Sequence, residues 1–173
     1  LTERQIINKL YEASQVGVKI ELFIRGECIL KPGISGLSEN IKVYSTIGRF
    51  LEHSRVLHFC NKNRPKLYLS SADWMTRNIS NRVEIFFPVL EQEYRDRIIF
   101  EAFELQRNDN VKLWKLDSSG KYIKKTPSKG NKKKVYFSKP NISENNVKIE
   151  EKTEKFTNKH PGAVNSPMVG TAY

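Results

Sequence analysis

Apolar residues at the start of the chain recur every three to four positions: Ile6, Ile7, Leu10, Tyr11 and Ala13. A Thr2–Gln5 capping-box pattern precedes them and Gly17 follows as a stop, so the spacing predicts a helix over residues 3–16. The rhythm then shifts to β-rich runs. VKIELFI (18–24), IKVYS (41–45), HSRVLHF (53–59), KLYLSS (66–71) and RVEIFFPVL (82–90) read as strands, with CNKNRP joining the third and fourth as a hairpin. RGECILKPGISGLSEN, with Pro32, Gly33 and Gly36 as breakers, reads as a loop. EQEYRDRIIFEAFELQ (91–106) returns to helical spacing, with Tyr94, Ile98 and Phe103 on the expected buried face. Helix, strand, strand, hairpin, strand, helix predicts an α/β domain over 1–109, a mixed sheet flanked by helices.

Past residue 109 the pattern fades. Residues 110–173 form a lysine-rich extension with scattered aromatics, and 118–165 are expected to be largely disordered. No internal repeat is visible. Charge sharpens the division. Residues 1–110 carry 16 Lys/Arg against 14 Asp/Glu, whereas residues 111–140 carry 10 against 1. The net charge of +11 therefore comes mostly from one stretch, and the fold itself is not basic. Two distant cysteines, Cys28 and Cys60, fit a reduced, cytoplasmic setting. No run approaches 18 apolar residues, so no transmembrane segment is expected, though association with a membrane surface stays open. The chain opens on Leu1 with no signal-peptide pattern, which is expected of a fragment.

The candidate chemistry sits in GRFLEHSRVLHF (48–59), where His53 lies between Arg49 and Arg55. A histidine among cations makes sense where a polyanion brings the opposing charge, because the anion favours the imidazolium that the arginines disfavour. On a strand, His53 and Arg55 would share a face. The strand at 66–71 leads to Ser71 and Asp73, and the strand at 18–24 leads to Arg25. Open α/β sheets collect ligands beyond the carboxyl ends of their strands. An arginine there can clamp two phosphate oxygens, and a histidine can donate to a phosphoryl oxygen or pass a proton. The plain alternatives stay open on residues alone: His53 as a solvated surface group, Arg25 paired with Glu27, and Asp73 capping a turn.

Taken together, IINKLYEASQVGVKIELFIRGECILKPGISGLSENIKVYSTIGRFLEHSRVLHF and LYLSSADWMTRNISNRVEIFFPVL resemble the C-terminal catalytic domain of bacterial polyphosphate kinases, over about residues 3–108. The resemblance implies a phospholipase-D-like fold used for reversible phosphoryl transfer between ATP and inorganic polyphosphate. It implies a phosphohistidine whose nucleophile lies in a preceding domain, outside this chain. It implies Mg2+ with ligands also outside this segment, upstream domains of the same enzyme as partners, and a homo-oligomer. Arg25 in IRGEC matches an arginine that contacts nucleotide phosphates. His53 in LEHSR matches a second histidine that contacts ATP and assists transfer. Arg55, Asp73, Arg77 and Arg82 sit in matched motifs as site-lining or structural residues. The chain departs from hydrolases of the phospholipase-D type, which carry His-x-Lys-x4-Asp. Here the frame reads His53-Ser54-Arg55 and Cys60 stands in the aspartate position, which disfavours lipid or DNA hydrolysis.

The last residues, HPGAVNSPMVGTAY (160–173), resemble the entry strand of the biotinyl domain of biotin carboxyl carrier proteins. Neither Met75 nor Met168 adjoins a lysine, so that family's biotin attachment pattern is missing. The segment is expected to have no independent structure, as a fused slice or a chance match. A competing function is a polyanion- or nucleic-acid-binding module without catalysis. In it the 111–140 lysines act by counterion release, and Trp114 and Tyr122 stack on bases.

Overall fold

The computed structural model describes residues 1–126. Helix α1 (Arg4–Gln15) falls where the spacing places it, but its cap is Glu3 and not Thr2. The Glu3 carboxylate accepts from the Gln5 amide at 3.1 Å. The Thr2 and Glu3 amides donate instead to the Trp74 carbonyl, which ties the helix start to the loop carrying Asp73. Gly17 ends the helix at φ 87°, a conformation that costs any residue with a Cβ.

Strands β1 (Ile20–Phe23) and β2 (Ile41–Thr46) pair in parallel, Ile20 opposite Ile41 and Phe23 opposite Tyr44. Their alternation divides two faces. Ile41 and Val43 are buried in one cluster with Ile7, Leu30 and Leu116, against which Leu10, Leu22 and Trp74 pack. On the other face Phe23 stacks on Tyr44, ring centroids 5.4 Å apart.

Strands β3 (Val56–Phe59), β4 (Lys66–Ser70) and β5 (Phe86–Pro88) form a separate antiparallel sheet. The β3–β4 turn carries three consecutive left-handed residues, Asn61, Lys62 and Asn63, at φ 43°, 50° and 64°. Asparagine tolerates that region; the lysine between the two is carried along with them. The short helix α2 (Thr76–Asn81) follows the Asp73 loop. It was not legible in the sequence because Ile79 is its one apolar residue and no periodicity marks it.

The expected helix at 91–106 is helical throughout but not uniform. It consists of α3 (Gln92–Ile99), a π-helical segment Phe100–Glu104 and α4 (Leu105–Asn108). The wider turns re-phase its face. Phe103 meets Phe23 at 5.9 Å and His58 at 6.3 Å, and Arg107 forms an ion pair with Glu21 at 2.6 Å. Tyr94, expected on the buried face, is exposed, while Ile98 and Phe103 are half-buried.

Three expectations are corrected. The single mixed sheet is two sheets, the four-stranded one in the order β1-β2-β6-β7. Strand 53–59 begins only at Val56, and strand 82–90 narrows to Phe86–Pro88, with the Val89 amide still donating to the Leu67 carbonyl at 2.9 Å. Above all, the domain does not end near 109. Strand β6 (Leu113–Leu116) pairs antiparallel with β2, and β7 (Tyr122–Lys124) pairs with β6 as an edge strand. The lysines that argued for disorder there sit on an edge, where charge blocks further pairing without preventing a strand. The remainder of the expected disordered stretch, and residues 160–173, lie outside the described residues.

Leu113 is 1% exposed. Leu113→Ala should destabilise the fold by about 2–5 kcal/mol. A urea midpoint unchanged by this substitution would show that the domain does end before β6. Among the described residues, no helix is long and apolar enough to cross a membrane.

A candidate phosphate-binding site

Three backbone segments converge on one carboxylate. Arg25 follows the end of β1, where the Ile24 amide still donates to Tyr44. Asp73 follows β4. Residues 52–55 lead into β3, and the Ser70 amide donates to the Arg55 carbonyl, which holds that segment beside the end of β4.

Asp73 takes up both arginines. Arg25 Nη2 donates to its two oxygens at 2.8 and 3.0 Å. Arg55 donates through Nε at 3.0 Å and Nη2 at 3.1 Å, a two-pronged fit of guanidinium to carboxylate. Arg25 Nη1 also donates to the Glu52 carbonyl at 2.6 Å. The three side chains are 19–29% exposed. The Arg55 hydrogen bonds first, and then the charges of Arg25 and Arg55, hold the Asp73 carboxyl below its usual range against the opposing effect of burial. Two guanidiniums on one carboxylate leave a surplus positive charge.

His53 joins through Arg55. Nη1 of Arg55 lies 2.9 Å from His53 Nδ1 and donates to the His53 carbonyl, also at 2.9 Å. A guanidinium has no acceptor, so Nδ1 must accept and the ring proton sits on Nε2. This resolves the conflict of a histidine among arginines differently from the sequence expectation: Arg55 contacts a lone pair, so no second cation is needed there. His53 and Arg55 also do not share a strand face, since both precede β3. Their pairing comes from the guanidinium folding back on its own segment.

Arg25, His53, Arg55 and Asp73 are thus brought together. Arg25 pairs with Asp73, not Glu27, and Asp73 is a charge partner more than a turn cap. Arg77 is exposed on α2 and Arg82 is exposed just beyond it, its charge felt by Glu84. Glu84 was missed by sequence reasoning. Its carboxylate accepts from the Ser71 hydroxyl and from Asn78 Nδ2 at 3.1 Å, and the Ser71 hydroxyl accepts from the Ile85 amide at 2.9 Å. The Ser71 hydrogen bond, helped by Asn78, Arg82 and Arg55, holds the Glu84 carboxyl below its usual range. The available signal was an acid inside the apolar run RVEIFF.

The cluster does not fit a divalent cation. Asp73 already meets four N–H···O contacts, about the full capacity of a carboxylate. Among the described residues no group of three His, Cys, Asp or Glu side chains could hold a metal ion.

A family model described as polyphosphate kinase C-terminal domain 2 matches residues 1–136. The chain belongs to the polyphosphate kinase family. A polyphosphate kinase of Xylella fastidiosa (strain Temecula1) is 49% identical over 127 residues, which is 73% of this chain and 18% of the relative. One from Bacillus anthracis is 52% identical over 122 residues, 70% of this chain and 17% of the relative. The crystal structure of polyphosphate kinase from Porphyromonas gingivalis superposes with a TM-score of 0.70 at 42% identity, covering 74% of this chain and 19% of that one. The chain therefore spans about a fifth of the length of these polyphosphate kinases. The match running to 136 agrees with β6 and β7 belonging to the domain.

Proposed function

We propose that this polyphosphate kinase segment supplies the phosphate-clamping half of an ATP:polyphosphate phosphotransferase site, on a phospholipase-D-like domain. The arginine–aspartate–histidine cluster at the strand ends carries this reading: it has surplus positive charge, a hydrogen-bond donor at His53 and no free carboxylate. Phosphoryl transfer depends on positioning and charge neutralisation, and the cluster is suited to both. Arg25 binds a phosphate of ATP, and His53 donates from Nε2 to an oxygen of the phosphoryl group in flight. The nucleophilic histidine that accepts this group, and passes it to polyphosphate or back to ADP, comes from the part of the enzyme outside this chain. Mg2+ would neutralise phosphate charge when bound, and its ligands come from outside this segment as well. Val83, Ile85, Phe86, Phe87 and Leu90 are all exposed, and the other four-fifths of the enzyme would cover that surface, in a homo-oligomer working in the cytoplasm or at a membrane surface.

The test is a titration of the chain with ATP and with inorganic polyphosphate, followed by calorimetry. The wild-type chain should bind both, and Arg25→Ala combined with His53→Ala should lose at least tenfold in affinity. Binding that survives the double substitution and collapses with salt would assign it to the 111–140 lysines, and the chain would be a polyanion-binding module instead.

A further inference from the structure

The two arginines of the cluster are not equivalent, and their N–H groups show why. Of the five on Arg55, Nε and one on Nη2 go to Asp73, and both on Nη1 go to His53. Four of five are used inside the protein. Arg25 is held by Nη1 on Glu52 and Nη2 on Asp73, which leaves its Nε and a second Nη1 hydrogen without an acceptor among the described residues. Arg25 can meet an external oxyanion at two points without giving up a contact, whereas Arg55 has a single N–H left to offer.

We propose that Asp73 and Arg55 are positioning residues, a relay in which the Asp73 carboxylate fixes the Arg55 guanidinium and Arg55 in turn fixes the tautomer and orientation of the His53 ring. The grip is two-point: one nitrogen, Nη1, donates to both the ring Nδ1 and the carbonyl of the same residue, so ring and backbone are set together. Which histidine nitrogen carries the proton is decided by the bond the other one makes. With Nδ1 occupied, Nε2–H is the only ring atom that can face a ligand, and it faces as a donor. His53 itself is exposed, and among the described residues no other hydrogen bond restrains its ring. The inference that this serves phosphoryl transfer rests on the function proposed above; the relay itself rests on the geometry alone.

Two readouts separate these. Histidine-selective nitrogen spectra of the chain should show His53 Nδ1 as a hydrogen-bonded acceptor. Its resonance should move toward that of a free imidazole in Arg55→Met and in Asp73→Asn, while the His58 signals stay put as the control for an intact fold. A His53 Nδ1 resonance unmoved in both variants would overturn the relay. In the full polyphosphate kinase chain, Arg55→Lys should lower kcat about 10²-fold with KM for ATP little changed, because a misplaced donor loses rate more than binding. Combined with His53→Ala, Arg55→Lys should not slow the enzyme further, since residues acting through one group are non-additive. Losses that add to that of His53→Ala would overturn the positioning role. A wild-type chain with no phosphoryl transfer at all would sink the functional reading and leave the Nδ1 resonance to decide the relay.

Discussion

Arg25→Met in the full polyphosphate kinase chain should reduce phosphoryl transfer by about 10³-fold, the loss typical of removing a guanidinium that meets charge developing on a transferred phosphoryl group. The substitution keeps an unbranched chain of similar length but removes the donors that contact Glu52 and Asp73. Asp73 keeps both prongs of Arg55, so the carboxylate is not stranded and the fold should survive. The defect should fall on both KM for ATP and kcat, because a phosphate clamp acts in the ground state and in the transition state. Arg25→Lys should rescue little. An ammonium restores the charge but not the fork that spans the Glu52 carbonyl and Asp73 while offering Nε outward. Steady-state kinetics on the two variants, with melting curves to confirm folding, decide the matter. Activity within about threefold of wild type would mean that Arg25 is a structural ion pair and the phosphate binds elsewhere.

How much of this was legible in the sequence depends on the range over which each feature is determined. Helix α1 and strands β1, β2 and β4 follow from local spacing and were read to within a few residues. β6 was missed for a compositional reason. VKLWKL itself carries two lysines and leads into a lysine-rich stretch that reads as solvated, yet Leu113 and Leu116 are buried because β2 offered an open edge. Nothing local to 113–116 announces that edge. At the site, Arg25 and Asp73 are 48 positions apart, and their pairing depends on how β1 and β4 end, which no periodicity encodes. His53 and Arg55 were paired for the wrong reason. Strand alternation was the argument, but a side chain folding back on its own backbone is the fact. The residues emerged from motif resemblance; the relay and the Glu84 network needed coordinates.

Asp73→Ala should be the most destabilising change at the site. It leaves two guanidiniums, 19% and 23% exposed, facing each other with their shared counterion gone. Breaking a buried pair costs about 3–5 kcal/mol, and partial exposure with solvent screening brings the expectation here to about 2–3 kcal/mol. The loss should depend on pH with a defined sign. The Asp73 carboxyl is held below its usual value in the folded chain. Its contribution is therefore complete above the unfolded value of about 3.9, declines as pH falls below that, and is gone once pH passes the depressed folded value. The wild-type advantage over Asp73→Ala should be constant from pH 7 to about 5 and shrink toward pH 3. Comparing the two chains isolates this group, since Glu84 and Asp117, whose carboxyls are also held low, titrate in both. Urea midpoints at pH 7, 5 and 3 provide the measurement, and a difference that persists undiminished at pH 3 would show that the Asp73 charge is not what stabilises the cluster. Inorganic phosphate adds a second arm at pH 7. If the carboxylate occupies a position suited to an oxyanion, phosphate should stabilise Asp73→Ala more than it does the wild type, because the unpaired guanidiniums recruit it as a substitute counterion. Equal stabilisation of the two chains would mean that the arginines separate when the carboxylate is lost, and that Asp73 is what holds them in a geometry able to bind phosphate at all.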